Sequence, residues 1–449
     1  MITLTDQTTH KSKSKVIFIV MMFIISLATF LSQTEFTSQA YSLGFKEPII
    51  LLLVTHGSWW ILWPLQVIVL AVFRVTTKFM NRDKKNEYQL LNSNTELLPP
   101  KQINYLKYFK KSIIKQFHNV YHTSIIIYEN NVNGDDRTEN INELIEKHPH
   151  ITSNQSIISC ADSFLRTPSI KYIVWNCFLM TVLLNVAGFT WYGAMSITYA
   201  SDVTAIYNCS AFTAYVFAIP LLKEKFSWLK ASSVMIAVLG VFVVAYSGSD
   251  DANEEYPLRF WGNLAISVGA VIYGLYEVFY KKYLCIPEHL SKLITPRRQL
   301  VLANFVMSML GFFTLLILLV GVLAVEIFGF HSFNLFDYEN VKAIWLCIVG
   351  SIVSNLMFSA SFLSLISLTG PVLSSVSSLL TIFLIGVVEW ILFGNVLSSQ
   401  QIFGDLLVVI GFVLLTVASW KEISEGSDTD DVEIISNYSF ALSVNTNQD

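Results

Sequence analysis

The chain has 449 residues and a net charge of −4; 53% of its residues are apolar and only 14% are charged. A soluble domain has about 25% charged residues, and here the apolar residues fall in long runs with a mean hydropathy of +0.53. This composition predicts an integral membrane protein. It argues against a nucleic-acid binder, because no basic stripe with interleaved aromatic residues is present. Five scattered cysteines predict neither a disulfide framework nor a metal site.

Ten segments meet or approach the length of about 20 apolar residues that a transmembrane helix needs. In chain order, the predicted spans are 16–31, 48–73, 172–192, 203–222, 228–246, 260–280, 300–325, 343–365, 371–393 and 402–420. The first span follows a lysine-rich stretch, as a signal peptide would. No clean cleavage site ends it and further spans follow, so it is predicted to be the first transmembrane helix.

Basic residues at the span ends predict the orientation of the chain. With a cytosolic N-terminus, the outer flanks carry only Lys46, Arg259 and Lys342, whereas the first four cytosolic flanks carry three to five Lys or Arg each. Both termini are therefore predicted to be cytosolic. The predicted organisation is a tail with spans 1–2 (1–73), a partly disordered cytosolic loop (74–169), spans 3–5 (170–248), spans 6–10 (259–421) and a disordered cytosolic tail (422–449).

Residues 101–127 of the cytosolic loop repeat apolar side chains every three or four positions, with lysines on the other faces. This pattern predicts a basic amphipathic helix that lies on the anionic inner leaflet. A solvated helix or a disordered linker is the alternative. His118 and His122 lie four residues apart on this segment, but two histidines without a third ligand make a poor zinc site.

The second half of the span list repeats the first half. Identities at an offset of 170, and a glycine pair at 171, are Trp175–Trp345, Cys177–Cys347, Asn185–Asn355 and Gly240–Gly411. The repeating unit is five helices, and an odd number of crossings places the second copy upside down in the bilayer. Inverted repeats are the architecture of alternating-access transporters. The predicted fold is an all-α integral membrane protein of ten transmembrane helices, arranged as two inverted five-helix repeats.

Several polar side chains fall deep inside the predicted spans, and we predict that they bind substrate in a central cavity. They are Asn185, Tyr207, Asn208, Tyr273 and Asn355. A carboxamide in hydrocarbon is costly unless it is hydrogen-bonded inside the bundle or lines a wet cavity. Hydrogen bonds that hold helices together without any ligand are the alternative interpretation.

Four ionisable residues in or near the spans are candidates for coupling transport to a proton. Asp202 also fits an N-cap at the outer mouth of span four, and Glu277 also fits an ion pair with Lys281, four residues later. Glu389 has no basic residue nearby in sequence, which makes it the better candidate. His56 fits either titration near neutral pH or a hydrogen bond within span two.

Residues 192–248 resemble the drug/metabolite transporter superfamily in its EamA-like form. The resemblance rests on the segments "AIYN" (205–208), "LLKEKFSWLK" (221–230) and "VLGVFVVAYSG" (238–248). More narrowly, they are similar to solute carrier family 35, subfamily F, and its fungal relatives, and residues 33–56 fit the first hairpin of that group. The resemblance implies a ten-helix inverted-repeat carrier on an endomembrane such as the Golgi or the vacuole. Relatives carry nucleotide sugars, triose phosphates or thiamine.

The predicted function is secondary active transport of a small organic solute, coupled to a proton or a counter-substrate. No phosphate-clamping Lys or Arg stands inside the later spans, so a cationic or neutral cargo suits the polar set better than a nucleotide sugar. No catalytic motif is present, and neither enzyme activity, a cofactor nor a metal is predicted. The alternative is a non-transporting membrane scaffold or receptor that acts through its cytosolic loop and tail.

Overall fold

The computed structural model describes residues 4–91, 105–133, 156–198, 203, 206–207, 209–246, 257–287, 290, 294, 296–368 and 399–418. Every regular element within these ranges is helical. The helices are α1 Leu4–Ser42, α2 Pro48–Gly57, α3 Leu62–Leu91, α4 Tyr105–Tyr128, α5 Ile157–Arg166, α6 Pro168–Met195, α7 Ser210–Leu221, α8 Trp228–Tyr246, α9 Arg259–Leu284, α10 Pro296–Ile327, α11 Val341–Leu368 and α12 Ser399–Ala418. A 3-10 turn, Ser58–Ile61, joins α2 to α3.

Helix ends follow local sequence signals. The helices α2 and α6 both begin with a proline, which lacks the N–H that the first turn leaves unpaired. A glycine with positive φ stands two residues after the end of both α1 and α10, Gly44 at 98° and Gly329 at 71°. In each case the residue after the glycine donates its N–H to a carbonyl five positions back, which is the Schellman arrangement that glycine permits.

Six helical stretches are long and apolar enough to cross a membrane: Ile17–Ser42, Pro48–Thr77, Pro168–Met195, Phe260–Leu284, Arg298–Ile327 and Val341–Ile366. Shorter apolar helices, Ser210–Leu221, Trp228–Gly240 and Ile402–Leu415, coincide with predicted spans 4, 5 and 10. The predicted span 371–393 and the predicted tail 422–449 lie outside the described residues. The fold is therefore all-helical with several membrane-type helices, and the count of ten spans stays a prediction.

The helix α10 is the centre of the packing. It contacts α2, the 3-10 turn, α3, α4, α6 and α11. Around it, α1 packs on α11, α6 packs on α9, α7 packs on α9, and α8 packs on α12. The helices from the N-terminal and C-terminal halves therefore interleave instead of forming two separate bundles.

Backbones approach each other closely where α8 crosses α12. A Cβ atom added at Gly240 of α8 would lie 2.6 Å from the carbonyl oxygen of Gly404 and 2.8 Å from the backbone nitrogen of Val408. These distances are shorter than any ordinary carbon contact, so the crossing needs a residue without a side chain. Small residues at such crossings let helices pack tightly where lipid removes the hydrophobic driving force.

The same approach recurs on the other side of this crossing, at Gly411 of α12. A Cβ atom there would lie 2.7 Å from the carbonyl oxygen of Ser233 and 2.7 Å from the backbone nitrogen of Ala237. The offset of 171 that relates Gly240 to Gly411 also relates Ser233 and Ala237 to the two partners of Gly240. The contact is therefore unchanged when the two helices are exchanged.

The helix α4 differs from the predicted membrane-surface helix. Residues 120–127 are all buried, and α4 packs against α3, α5, α6 and α10. A helix lying on lipid headgroups would keep one face open along its whole length. Protein covers the apolar face of α4 from Ile113 onward, whereas Leu106 near its start stays exposed. Amphipathicity alone does not distinguish a lipid surface from a protein surface.

Two histidines are buried in the packed half of α4. The ring centroids of His118 and His122 are 3.8 Å apart, and 6% and 2% of these residues are exposed. Burial, together with the charges of His118 and of Arg298 in α10, holds the pKa of His122 well below its ordinary value. The docked helix therefore favours an uncharged His122 ring.

Acidification should loosen α4. An unfolded histidine titrates near pH 6.5, so the stability supplied by a ring with a lowered pKa is full above that pH and is lost as the pH falls below it. We expect the α4 amides to exchange with deuterium faster at about pH 5.5 than at about pH 7.5 after correction for intrinsic rates. His122→Leu should reduce this pH dependence, whereas His331→Leu, in a distant loop, should leave it intact. Equal pH dependence in all three proteins would contradict the assignment.

Gly240→Ala and Gly411→Ala should each destabilise the fold by about 1–3 kcal/mol, because the added methyl overpacks the α8–α12 crossing. Gly321→Ala is the matched control, since no atom of the described residues lies within 4 Å of a Cβ atom at that position of α10. It should be neutral or slightly stabilising because alanine favours a helix. Thermal unfolding of the purified protein in detergent measures all three changes, and equal midpoints would refute the close crossing.

Candidate functional site

An open cavity lies where helices of the two halves meet; its empty space is about 710 Å³ when the adjoining solvent is counted. The 3-10 turn and the helices α1, α2, α6, α7, α9, α10 and α11 all contribute to its walls. Half of the lining side chains are aromatic: Phe30, Trp59, Trp191, Tyr192, Tyr207, Tyr273, Tyr276, Phe358 and Phe362. No Lys, Arg, Asp or Glu belongs to the lining in the part of the chain that the structure describes.

Four of the sequence-predicted site residues line this cavity: His56, Tyr207, Tyr273 and Asn355. The rings of Tyr207 and Tyr273 pack together with centroids 4.8 Å apart. The structure therefore brings these residues to one chamber, and their role in binding stays a prediction. The other candidates Asp202, Asn208 and Glu389 lie outside the described residues.

The two asparagines matched by the repeat make equivalent hydrogen bonds. The Asn185 Oδ1 atom in α6 accepts from Thr314 Oγ1 in α10 at 3.0 Å, and the Asn355 Oδ1 atom in α11 accepts from Trp59 Nε1 in the 3-10 turn at 2.5 Å. Both residues are buried. Among the described residues Asn355 lines the cavity and Asn185 does not. The Asn185 carbonyl oxygen instead joins α6 to α10, and a binding role for either amide stays a prediction.

Glu277 is buried inside the bundle, not at an open cytosolic surface. None of its surface is exposed, and it lies close enough to Tyr207, Tyr273 and Tyr276 to interact electrostatically with them. Lys281, one turn later, donates a hydrogen bond to the Ile366 carbonyl oxygen at 3.0 Å. The structure therefore places this carboxyl group behind the tyrosine wall of the cavity.

His56 is held tightly among aromatic neighbours. Its ring centroid lies 4.2 Å from that of Trp59 and 5.9 Å from that of Tyr192. A Cβ atom added at Gly188 of α6 would lie 3.0 Å from His56 Cε1, so this glycine makes room for the ring. The imidazole is therefore fixed in one place against the cavity.

A chain of polar side chains that the sequence did not indicate lies at the cavity wall. Gln33 Nε2 in α1 donates to the Tyr192 hydroxyl oxygen at 3.3 Å, and the Tyr192 and Thr55 hydroxyls are 2.8 Å apart. The predicted first span ended at residue 31, because Gln33 and Glu35 lower the hydropathy there. The helix instead continues to Ser42, which places Gln33 within a membrane-type stretch.

No protein-family model and no curated protein matches this chain. A solved crystal structure, described only as that of a protein, aligns with 79% of this chain and 98% of its own length, at 13% identity and a TM-score of 0.42. A similarity of this size carries no argument about fold or function. The resemblance to the drug/metabolite transporter superfamily stays a prediction.

Removing the donor of either asparagine bond should destabilise the fold. Thr314→Val and Trp59→Phe each leave a buried amide oxygen without its partner, which costs about 1–3 kcal/mol. Thr29→Val is the control, because the Thr29 hydroxyl donates only within its own helix, to Ile25 and Ser26. Thermal unfolding in detergent should show lower midpoints for the first two variants alone; an unchanged midpoint in either would contradict its bond.

Proposed function

We propose that the chain is a secondary active transporter of a small organic solute, working by alternating access of two inverted five-helix repeats. The observation that carries the proposal is the cavity, whose walls come from both halves of the chain and hold polar side chains among aromatic rings. Burying polar groups in a membrane protein is costly unless they serve packing or a ligand. A chamber between two repeats is where such transporters bind their cargo.

The helix contacts support the inverted repeat. Exchanging each predicted span with the one five positions later turns the α1–α11 contact into α9–α6, α10–α6 into α2–α11, and α10–α11 into α2–α6. The α2–α10 and α8–α12 contacts exchange into themselves. All eight of these helix pairs are in contact, as a two-fold relation between the halves requires.

Individual contacts obey the same exchange. The glycine approaches between α8 and α12 are related by the offset of 171. The bond of Asn185 to α10 and that of Asn355 to the 3-10 turn join equivalent pairs of spans. Such agreement at the level of single atoms supports a two-fold relation between the halves, with the cavity between them.

In this proposal Asn355, Tyr207, Tyr273 and His56 contact the cargo, and Asn185 contributes through the bundle. Asn208 is a third amide of the same site. Glu277 couples cargo movement to a proton or a counter-substrate, and Asp202 and Glu389 remain further coupling candidates. The absence of a cationic side chain from the described lining supports a neutral or cationic cargo over a phosphorylated one.

Ten spans with both termini cytosolic, in the Golgi or vacuolar membrane, complete the proposal. The flanking charges support the orientation, and the resemblance to solute carrier family 35, subfamily F, supports the compartment. The burial of α4 disfavours the scaffold alternative, because the long loop then supplies less surface to a partner. That alternative still places the function in the remaining loop and in residues 422–449.

Reconstitution into liposomes tests transport. The full chain should take up at least one member of a panel of neutral and cationic metabolites under a proton gradient or by counter-exchange. Asn355→Leu should lower that uptake about tenfold or more, since it removes a polar contact in the cavity. Asn176→Leu is the matched control, because the Asn176 Nδ2 bond to the Tyr172 carbonyl oxygen lies within its own helix and Asn176 is not part of the described cavity lining.

Deletion of residues 422–449 separates the carrier from the scaffold. The carrier should keep its uptake without this segment, whereas a scaffold should lose its cellular function. No uptake of any cargo under either driving force would argue strongly against the carrier. Size-exclusion profiles of each variant establish that it remains folded.

A further inference from the structure

The hydrogen-bond chain beside the cavity has a fixed direction. Thr55 Oγ1 donates to the Leu51 carbonyl oxygen at 2.5 Å, and a hydroxyl has a single hydrogen to give. The 2.8 Å contact between Thr55 and the Tyr192 hydroxyl must therefore use the hydrogen of Tyr192. The Tyr192 oxygen is left to accept, and Gln33 Nε2 donates to it at 3.3 Å.

The direction of these hydrogen bonds fixes the orientation of the Gln33 side-chain amide. If the amide turned over, its Oε1 atom would meet the Tyr192 oxygen, whose hydrogen is already directed to Thr55, and two acceptors would face each other. Gln33 is 4% exposed and lines the cavity, and its Oε1 atom has no hydrogen-bond partner among the described residues. The chain thus holds a buried acceptor available to a molecule in the cavity.

The rest of the wall indicates the shape and charge of that molecule. The ring pairs His56–Trp59 and Tyr207–Tyr273, with centroids 4.2 Å and 4.8 Å apart, present aromatic surface on which a flat ring can stack. The described lining offers no cation to balance an anionic cargo. A carboxylate or phosphate would bring only acceptors to the Gln33 oxygen.

We propose that Gln33 is a specificity-determining residue that selects flat, uncharged ring solutes bearing an N–H or O–H donor over those without one. The proposal rests on the proposed function for the use of the cavity. Tyr192 and Thr55 are positioning residues, because they act on the cargo only through the Gln33 amide. A cargo lacking the donor leaves the buried oxygen unpaired, which is the larger penalty in hydrogen-bond recognition.

Three matched probes test this with the purified full chain in detergent: quinolin-2(1H)-one, 1-methylquinolin-2-one and quinoline-2-carboxylate. The first two differ in the N–H donor and the methyl group that replaces it, and the third is anionic; the loss of the difference in Gln33→Leu separates the donor from the added bulk. In equilibrium dialysis, the N–H probe should bind about tenfold more tightly than the N-methyl probe, and the carboxylate should bind most weakly. Equal binding of the first two, or preference for the carboxylate, would overturn the proposal.

Variants locate the preference at Gln33. Gln33→Leu should bring the two neutral probes to equal affinity, and Tyr192→Phe should reduce their ratio because the amide is then free to turn. Ser32→Ala is the control on the same helix, since the Ser32 hydroxyl bonds within α1, to Ala28, and the ratio should stay about tenfold. A ratio that persists in Gln33→Leu would refute the assignment. If Gln33→Leu does not fold, the wild-type pair and Tyr192→Phe decide.

The outcome is separable from that of the transport proposal. Donor-dependent binding without uptake of any cargo would refute the carrier and leave the role of Gln33 intact. Uptake of cargo together with equal binding of the two neutral probes would support the carrier and refute the role of Gln33. If there is neither uptake of cargo nor donor-dependent binding of the probes, the cavity is refuted as a ligand site.

Discussion

The arrangement of the site depends on one close crossing, between the 3-10 turn Ser58–Ile61 and α10. A Cβ atom at Gly311 would lie 2.5 Å from the backbone nitrogen of Trp60 and 2.6 Å from Trp59 Cβ, so any larger residue would push the two segments apart. The Ser308 hydroxyl also donates to the Trp60 carbonyl oxygen across this crossing. Because α10 contacts most of the central helices, the position of the turn is linked to the whole bundle. The same approach delivers His56 and Trp59 to the cavity wall.

The turn also makes the two halves unequal. Span two is interrupted by tighter 3-10 geometry, whereas α10, its counterpart in the proposed repeat, is a continuous helix of 32 residues. Short 3-10 segments within helices often mark functional sites, and irregular backbone at membrane depth is tolerated where protein buries it or a cavity adjoins it. The interruption therefore lies where the cavity needs aromatic and polar groups, and the continuous helix supplies the rigid partner.

Hydropathy predicted the membrane-type helices well where apolar runs are long, as for α6 and α11. It failed at α1, because Gln33 and Glu35 reduced the local hydropathy of a helix that continues to Ser42. Periodicity correctly indicated a helix at α4 but not what covers its apolar face. Depth along a span suggested that Asn185 and Asn355 share a chamber, whereas the rotation of each helix, which depth does not report, directs Asn185 to Thr314.

Equivalent positions in the two halves of the sequence differ in what they do, because some hold the bundle together and others line the cavity. At the offset of 170, the paired asparagines both make interhelical bonds. At the same offset, Tyr192 corresponds to Phe362 and Gly188 to Phe358, and all four line the cavity. Phe362 has no hydroxyl, so the second half cannot repeat the chain that orients Gln33. Apart from Asn355, the lining residues of α6 and α11 differ from their counterparts at this offset, whereas the asparagines that hold helices together are the same.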